Sequence, residues 1–135
     1  MEVKVESKIG TLQGSAERIF SFLADVSRMA QLMPQEKIKT VSHTSDECIF
    51  EAEMVGKVVL RVVNREPYKT IKYSFESEKG GNFFFWIQLL EPQVGITKVK
   101  LTLKTEMNAF MKLVAEKPLK KMLDEMVDKF TAASF

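Results

Sequence analysis

The sequence predicts an α+β fold: a curved antiparallel sheet of about seven strands wrapped around one long C-terminal helix, with two short helices after strand 1. Three observations carry this. From about residue 36 to 106, apolar and polar residues alternate at period 2, with turn signals between the runs. From Met111 to Phe130, apolar residues recur at i, i+3, i+4 spacing. Between the first strand and the main run lie two short helical patterns. Short turns favour antiparallel neighbours, and strands with one apolar face suit a sheet covered on one side.

"EVKVESKI" opens the chain as a strand, with Val3, Val5, Ser7 and Ile9 on one face. Gly10 to Gly14 breaks that pattern. Ser15 is the expected N-cap of a helix carrying Ile19, Phe22, Leu23 and Val26 on one stripe. Asp25 or Ser27 caps a second short helix, and Pro34 ends it. "KIKTVSH" is a weak strand. "CIFEAEM" alternates well, with Cys48, Phe50, Ala52 and Met54 facing one way. "KVVLRVVNRE" has faces that are harder to separate, and Pro67 breaks it. "TIKYSFE" places Ile71, Tyr73 and Phe75 on one side. "KGGN" is a hairpin turn before "NFFFWIQL", and "ITKVKLTLKTE" is the last strand. Asn108 caps the final helix, which is expected to run to about residue 132 at a length of about 35 Å. Pro118 lies inside it and is expected to kink it near Val114.

With 135 residues, one domain spanning 1–135 is expected. Apolar residues make up 45% and charged residues 28%, a soluble balance. The net charge is +2, from 20 basic and 18 acidic residues, so no polyanionic partner is implied. Lysines are scattered over outer faces without interleaved aromatics, which argues against nucleic acid. A single cysteine, Cys48, excludes an internal disulfide and fits a reducing, cytoplasmic setting. "MEVKVESKIG" has no apolar core of a signal peptide, and no run approaches 18 apolar residues, so no stable membrane insertion is expected.

This order resembles the START-like, or SRPBCC, superfamily with its helix-grip fold, over nearly the whole chain. The likeness rests on the charged first strand, "GSAERIFSFLADVSRMAQLMP", the "REPYKTIKYSF" strand pair and the long helix containing "EKPLKKMLDEMV". Ile19, Phe20, Leu23, Asp25 and Pro34 fit the superfamily's pattern after strand 1. Its usual tryptophan before the proline is absent, and Leu32 and Met33 stand there. The polyketide cyclase/dehydrase-like and coenzyme-Q-binding-like groups are nearest in size. The resemblance implies a deep apolar cavity between sheet and helix, and binding of a hydrophobic small molecule that is lipid-like, quinone-like or polyketide-like. The alternatives it leaves are a cyclase/dehydrase-type enzyme and a protein-interaction module using the outer sheet face.

Motifs for chemistry are few, so no catalytic residue, metal site or cofactor is assigned. His43 stands alone at a strand end, and one histidine with one distant cysteine falls short of a zinc site. Cys48 reads as a small buried hydrophobe. No phosphate-binding loop or nucleophile elbow occurs. Tyr73, between Ile71 and Phe75, needs an internal partner for its hydroxyl. Arg61 interrupts an apolar run and would need an anion if it faced inward; exposure among outer-face charges is the expected case. The eight methionines suit an irregular, adaptable interior. The expected lining set is Phe22, Phe50, Met54, Tyr73, Phe75, Phe85, Met111, Ala115, Leu119 and Met122, with Phe22 at the end nearest the short helices.

The row Phe83, Phe84, Phe85, Trp86 loads both faces of its strand. Neighbouring strands turn Phe85 and Ile87 inward. Phe84 and Trp86 then point outward, where lysine stems can cover them or a homodimer contact can form.

Overall fold

The computed structural model describes residues 1–33, 35–52, 56–79 and 81–135. Among them, eight strands form one sheet: β1 (Glu2–Glu6), β2 (Gly10–Gln13), β3 (Ile38–His43), β4 (Glu47–Ala52), β5 (Gly56–Glu66), β6 (Thr70–Ser77), β7 (Phe83–Gln93) and β8 (Ile96–Glu106). Three α-helices accompany them: α1 (Ala16–Leu23), α2 (Val26–Met29), continued by a 3-10 turn over Ala30–Leu32, and α3 (Ala109–Ala132). The spatial order β1-β8-β7-β6-β5-β4-β3 is an antiparallel meander from β3 to β8, closed by β1; β2 also pairs with β8. Alternating burial along β6, β7 and β8 turns Ile71, Tyr73, Phe75, Phe85, Ile87, Leu101 and Leu103 to one inner face. That face meets α3 through Leu123, Met126, Val127 and Phe130.

β2 departs from the expected break at Gly10–Gly14. Gly10 is a strand residue because α3 passes directly above it. A Cβ on Gly10 would stand 2.5 Å from Val127 Cγ1, so only hydrogen fits there. The pairings Val5↔Leu103 and Gly10↔Val99 leave one more residue on the β1–β2 side than on β8. That extra residue reverses the parity of the alternation. Gly10 and Leu12 therefore point inward, and Ile9, expected inward, is 67% exposed. Ser7 bridges the irregularity: its amide donates to the Leu101 carbonyl and its hydroxyl accepts from the Leu101 amide.

Helix starts follow the expected caps. Ser15 Oγ accepts from the Arg18 amide, Asp25 Oδ1 from the Ser27 amide, and Asn108 Oδ1 from the Met111 amide. Glu91 of β7 adds a cap that no local pattern reveals. One carboxylate oxygen accepts from the Ala16 amide at 2.9 Å and the other from the Gly95 amide at 2.9 Å. These bonds hold its carboxyl below the ordinary carboxylate range and pin the start of α1 to the β7–β8 turn.

The far end of α1 is fixed more deeply. The buried Tyr73 hydroxyl donates to the Leu23 carbonyl, and Arg65 donates to the Ala24 carbonyl at 3.0 Å while pairing with Asp46 at 2.7 Å. The α2 start is tied to the same region by the Val26 amide, which donates to the Ser45 carbonyl. Helices α1 and α2 thus plug the end of the sheet that holds the β3–β4 and β7–β8 turns.

The long helix matches its expected span, with Pro118 inside one continuous element. Its stripe does not hold along its length. Packing against the core begins at Leu119, while Met111 and Val114, expected inward, are 45% and 52% exposed. Ahead of Leu119 in α3, only Ala115 is even half-buried.

Two outcomes follow. Tyr73→Phe leaves the Leu23 carbonyl buried without its donor, and urea unfolding should show a loss of about 1–3 kcal/mol; an unchanged midpoint contradicts the plug described here. Glu91 contributes stability above its ordinary value of 4.5, and that contribution fades as pH falls through its lowered folded value. Glu91→Gln should therefore lose less stability than the parent between about pH 5 and pH 3. An identical acid profile in thermal unfolding goes against this cap.

Candidate functional site

The end of the sheet opposite the plug is not filled. There, β5 starts, β6 ends, β7 starts and β8 ends side by side, as the pairings Val58↔Ser77, Phe75↔Phe83 and Phe83↔Thr105 show. A cavity of about 480 Å³ lies between this part of the sheet and α3. Its sheet wall is Phe50, Ala52, Val58, Phe75, Phe83, Phe85 and Leu103. The helix supplies Met122, Leu123 and Met126, the connection from the 3-10 turn to β3 supplies Met33 and Lys37, and β3 supplies Ile38. Ser77 and Gly81 border it at the β6–β7 turn.

The wall is aromatic at its centre. Phe75 stacks on Phe83 at 4.5 Å and meets Phe85 and Phe50 edge-on at 6.2 and 6.4 Å. These rings lock one another, so the wall is preformed. The helix side is soft by contrast, because two of its three residues are methionines. Among the described residues, Lys37 is the one charged residue on the lining, and it is exposed at the rim. The site can therefore enclose an apolar body and meet one polar group at its edge.

The expected lining residues are dispersed by the structure. Phe50, Phe75, Phe85 and Met122 border the cavity. Tyr73 packs beside Phe85 at 5.8 Å, but its hydroxyl is bound to Leu23, and burial pushes its proton affinity far up. It belongs to the plug. Phe22 lies on the outer side of α1, where its ring meets Phe135 edge-on at 5.3 Å, and Arg28 sits over it at 5.8 Å. Met111 is exposed, Ala115 and Leu119 are half-buried, and none of the three borders the cavity. Met54 lies outside the described residues.

Sequence reasoning missed several lining residues. Val58 and Leu103 carried a signal, since each sits at an inward position of its strand. Phe83 shares the inward parity of Phe85. Met33 carried one too, as an apolar residue of the second short helical pattern, whereas Lys37 carried none, because it borders the site through the path of a connection rather than through a repeating pattern.

The remaining chemistry-bearing residues are satisfied elsewhere. Arg61 points outward, where it pairs with Glu47 at 2.8 Å and Glu76 at 3.8 Å. Cys48 is buried, which raises its thiol pKa and keeps it protonated. His43 is exposed at the end of β3. Among the described residues, no three of His, Cys, Asp or Glu are grouped to hold a metal ion. Among the described residues, no helix is long and apolar enough to cross a membrane. On the outer face, Lys72 lies 4.3 Å over Phe84 and 5.1 Å over Trp86, and Lys104 lies 5.6 Å over Trp86.

No family model matches the chain, and no curated protein matches it in sequence. Solved structures do resemble it. Protein XoxI from Bacillus cereus is similar with a TM-score of 0.72 at 10% identity, over 97% of this chain and 93% of that one. Norcoclaurine synthase from Thalictrum flavum is similar with a TM-score of 0.68 at 11% identity, over 99% of this chain and 88% of the enzyme. DynU16, a protein of the dynemicin biosynthetic locus, has a TM-score of 0.66 at 11% identity, over 96% of this chain and 46% of that one. At these identities the likeness is one of architecture alone: an antiparallel sheet gripping a long C-terminal helix.

Proposed function

We propose that this protein binds a hydrophobic small molecule, lipid-like, quinone-like or polyketide-like, in the cavity between the sheet and α3. The observation that carries the reading is the cavity itself: about 480 Å³, within the range of small-molecule sites, walled by interlocked phenylalanines and flexible methionines. An empty apolar space of this size in a core this small costs packing energy, and a ligand that fills it recovers the lost contacts. Phe50, Phe75, Phe85 and Met122 are the proposed contacts from the sequence, joined by Val58, Phe83, Leu103 and Met126.

Binding is favoured over a cyclase/dehydrase reaction by where the polar groups lie. A reaction of that type needs an acid or base beside the substrate. Tyr73 donates to Leu23, and Arg61 is outside the sheet, so neither candidate lines the cavity. Phe84 and Trp86 have intramolecular partners in the Lys72 and Lys104 ammonium groups, while Phe84 stays 44% exposed, so a homodimer through this face is kept as an alternative use of it.

Two measurements test the proposal. Native mass spectrometry of gently purified protein should show a bound hydrophobe, or take one up from an added mixture of fatty acids and quinones. Ala52→Trp places an indole in the cavity, and it should weaken binding of the fluorophore 1-aminoanthracene by at least about tenfold. Absence of any bound species, or equal fluorophore affinity in the variant, removes the support for a binding cavity.

A further inference from the structure

The first turns of α3 present an apolar surface to solvent. Phe110 is 70% exposed, Leu113 is 81% exposed and Val114 is 52% exposed. At 100° per residue, Phe110 and Val114 point away from the side that carries Leu119, Met126 and Phe130, and Leu113 flanks them. Exposed apolar groups clustered this way mark a contact surface rather than scatter.

Lysines follow on the same outward side. At 100° per residue, Lys117 falls between Leu113 and Phe110 in angle and Lys121 between Phe110 and Val114, about one and two turns beyond Val114. Lys112 pairs with Glu116 at 3.9 Å and Lys120 with Asp124 at 3.1 Å, whereas Lys117 and Lys121 have no ion-pair partner among the described residues. From Phe110 through Lys121 there are four lysines and one acidic residue, Glu116.

From this spacing we infer that the N-terminal tip of α3 docks reversibly on an anionic lipid surface. Lys117 lies about 6 Å from Leu113 and about 10 Å from Phe110 along the axis. With the tip of α3 directed into the headgroups, Phe110 and Leu113 enter first, Lys117 follows beside the phosphates, and Lys121 lies one turn above, where its stem can bend toward the surface. Cations without ion-pair partners beside an apolar tip match an anionic headgroup layer. The docking involves no span of the bilayer. It also brings the cavity to the surface, because only Met107 and Asn108 separate β8 from α3, and β8 ends beside the Phe83 that lines the cavity. The inference does not depend on the cavity being a ligand site.

Cosedimentation with vesicles tests it. The intact protein should pellet with vesicles of roughly three parts phosphatidylcholine to one part phosphatidylglycerol, and at least about tenfold less with phosphatidylcholine alone. Leu113→Asp should abolish pelleting, and the pair Lys117→Glu and Lys121→Glu should remove the preference for the anionic vesicles. All three positions are exposed, so circular dichroism and thermal midpoints should stay at the parent's values. Failure of the parent protein to pellet with anionic vesicles overturns the inference, as does equal pelleting with both compositions. If Leu113→Asp instead dissolves a self-associated species in sedimentation velocity and vesicles bind neither protein, the tip is a contact between copies and the lipid inference falls.

Discussion

The bond from the Tyr73 hydroxyl to the Leu23 carbonyl is the constraint on which the rest of this architecture hangs. A helix ends with carbonyls that lack partners, and burying them unpaired is costly. Here α1 buries its last carbonyls against the inner face of the sheet, and the sheet answers with two donors: Tyr73 from β6 and Arg65 from β5. Because Tyr73 is buried among apolar groups, its hydroxyl and the carbonyl need each other. Glu91 fixes the other end of the same helix. Three strands thereby hold α1 at one end of the sheet.

That placement decides where the protein is hollow. The α1–α2 plug fills one end with Ile19, Leu23, Val26 and Met29. It does not reach the other end, where the cavity lies between the sheet and Met122, Leu123 and Met126 of α3. The helix packs on the core from Leu119 onward, and its first turns stand free of it.

Much of this was legible in the residues. The period-2 strands, the three helix caps and the inward set Ile71, Tyr73, Phe75, Phe85, Ile87 come straight from alternation and capping chemistry, which are local. So does the outward placement of Phe84 and Trp86 under Lys72. What escaped was non-local. Gly10 reads as a breaker until Val127 is seen above it, and the extra residue between β1 and β2 that exposes Ile9 is a property of pairing, not of spacing. Met111 and Val114 continue the apolar i, i+3 spacing, but at 100° per residue Val114 lies on the far side from Leu119, Met126 and Phe130, and spacing alone does not tell where core contact begins. Tyr73 was rightly expected to need an internal partner. That the partner is the end of α1, which removes it from the cavity, depends on a contact fifty residues apart in the chain.

The central claim is that an apolar molecule enters one defined end of this fold. Methionine methyl resonances report on it directly, because the residues divide by place. Met33, Met122 and Met126 border the cavity, Met29 is buried in the plug, and Met111 is on the exposed tip. Titration of 13C-methyl-methionine protein with 1-aminoanthracene should shift the first three signals and leave those of Met29 and Met111 in place. Shifts at Met111 or Met29 with none at Met122 and Met126, or no shifts at all, contradict the account.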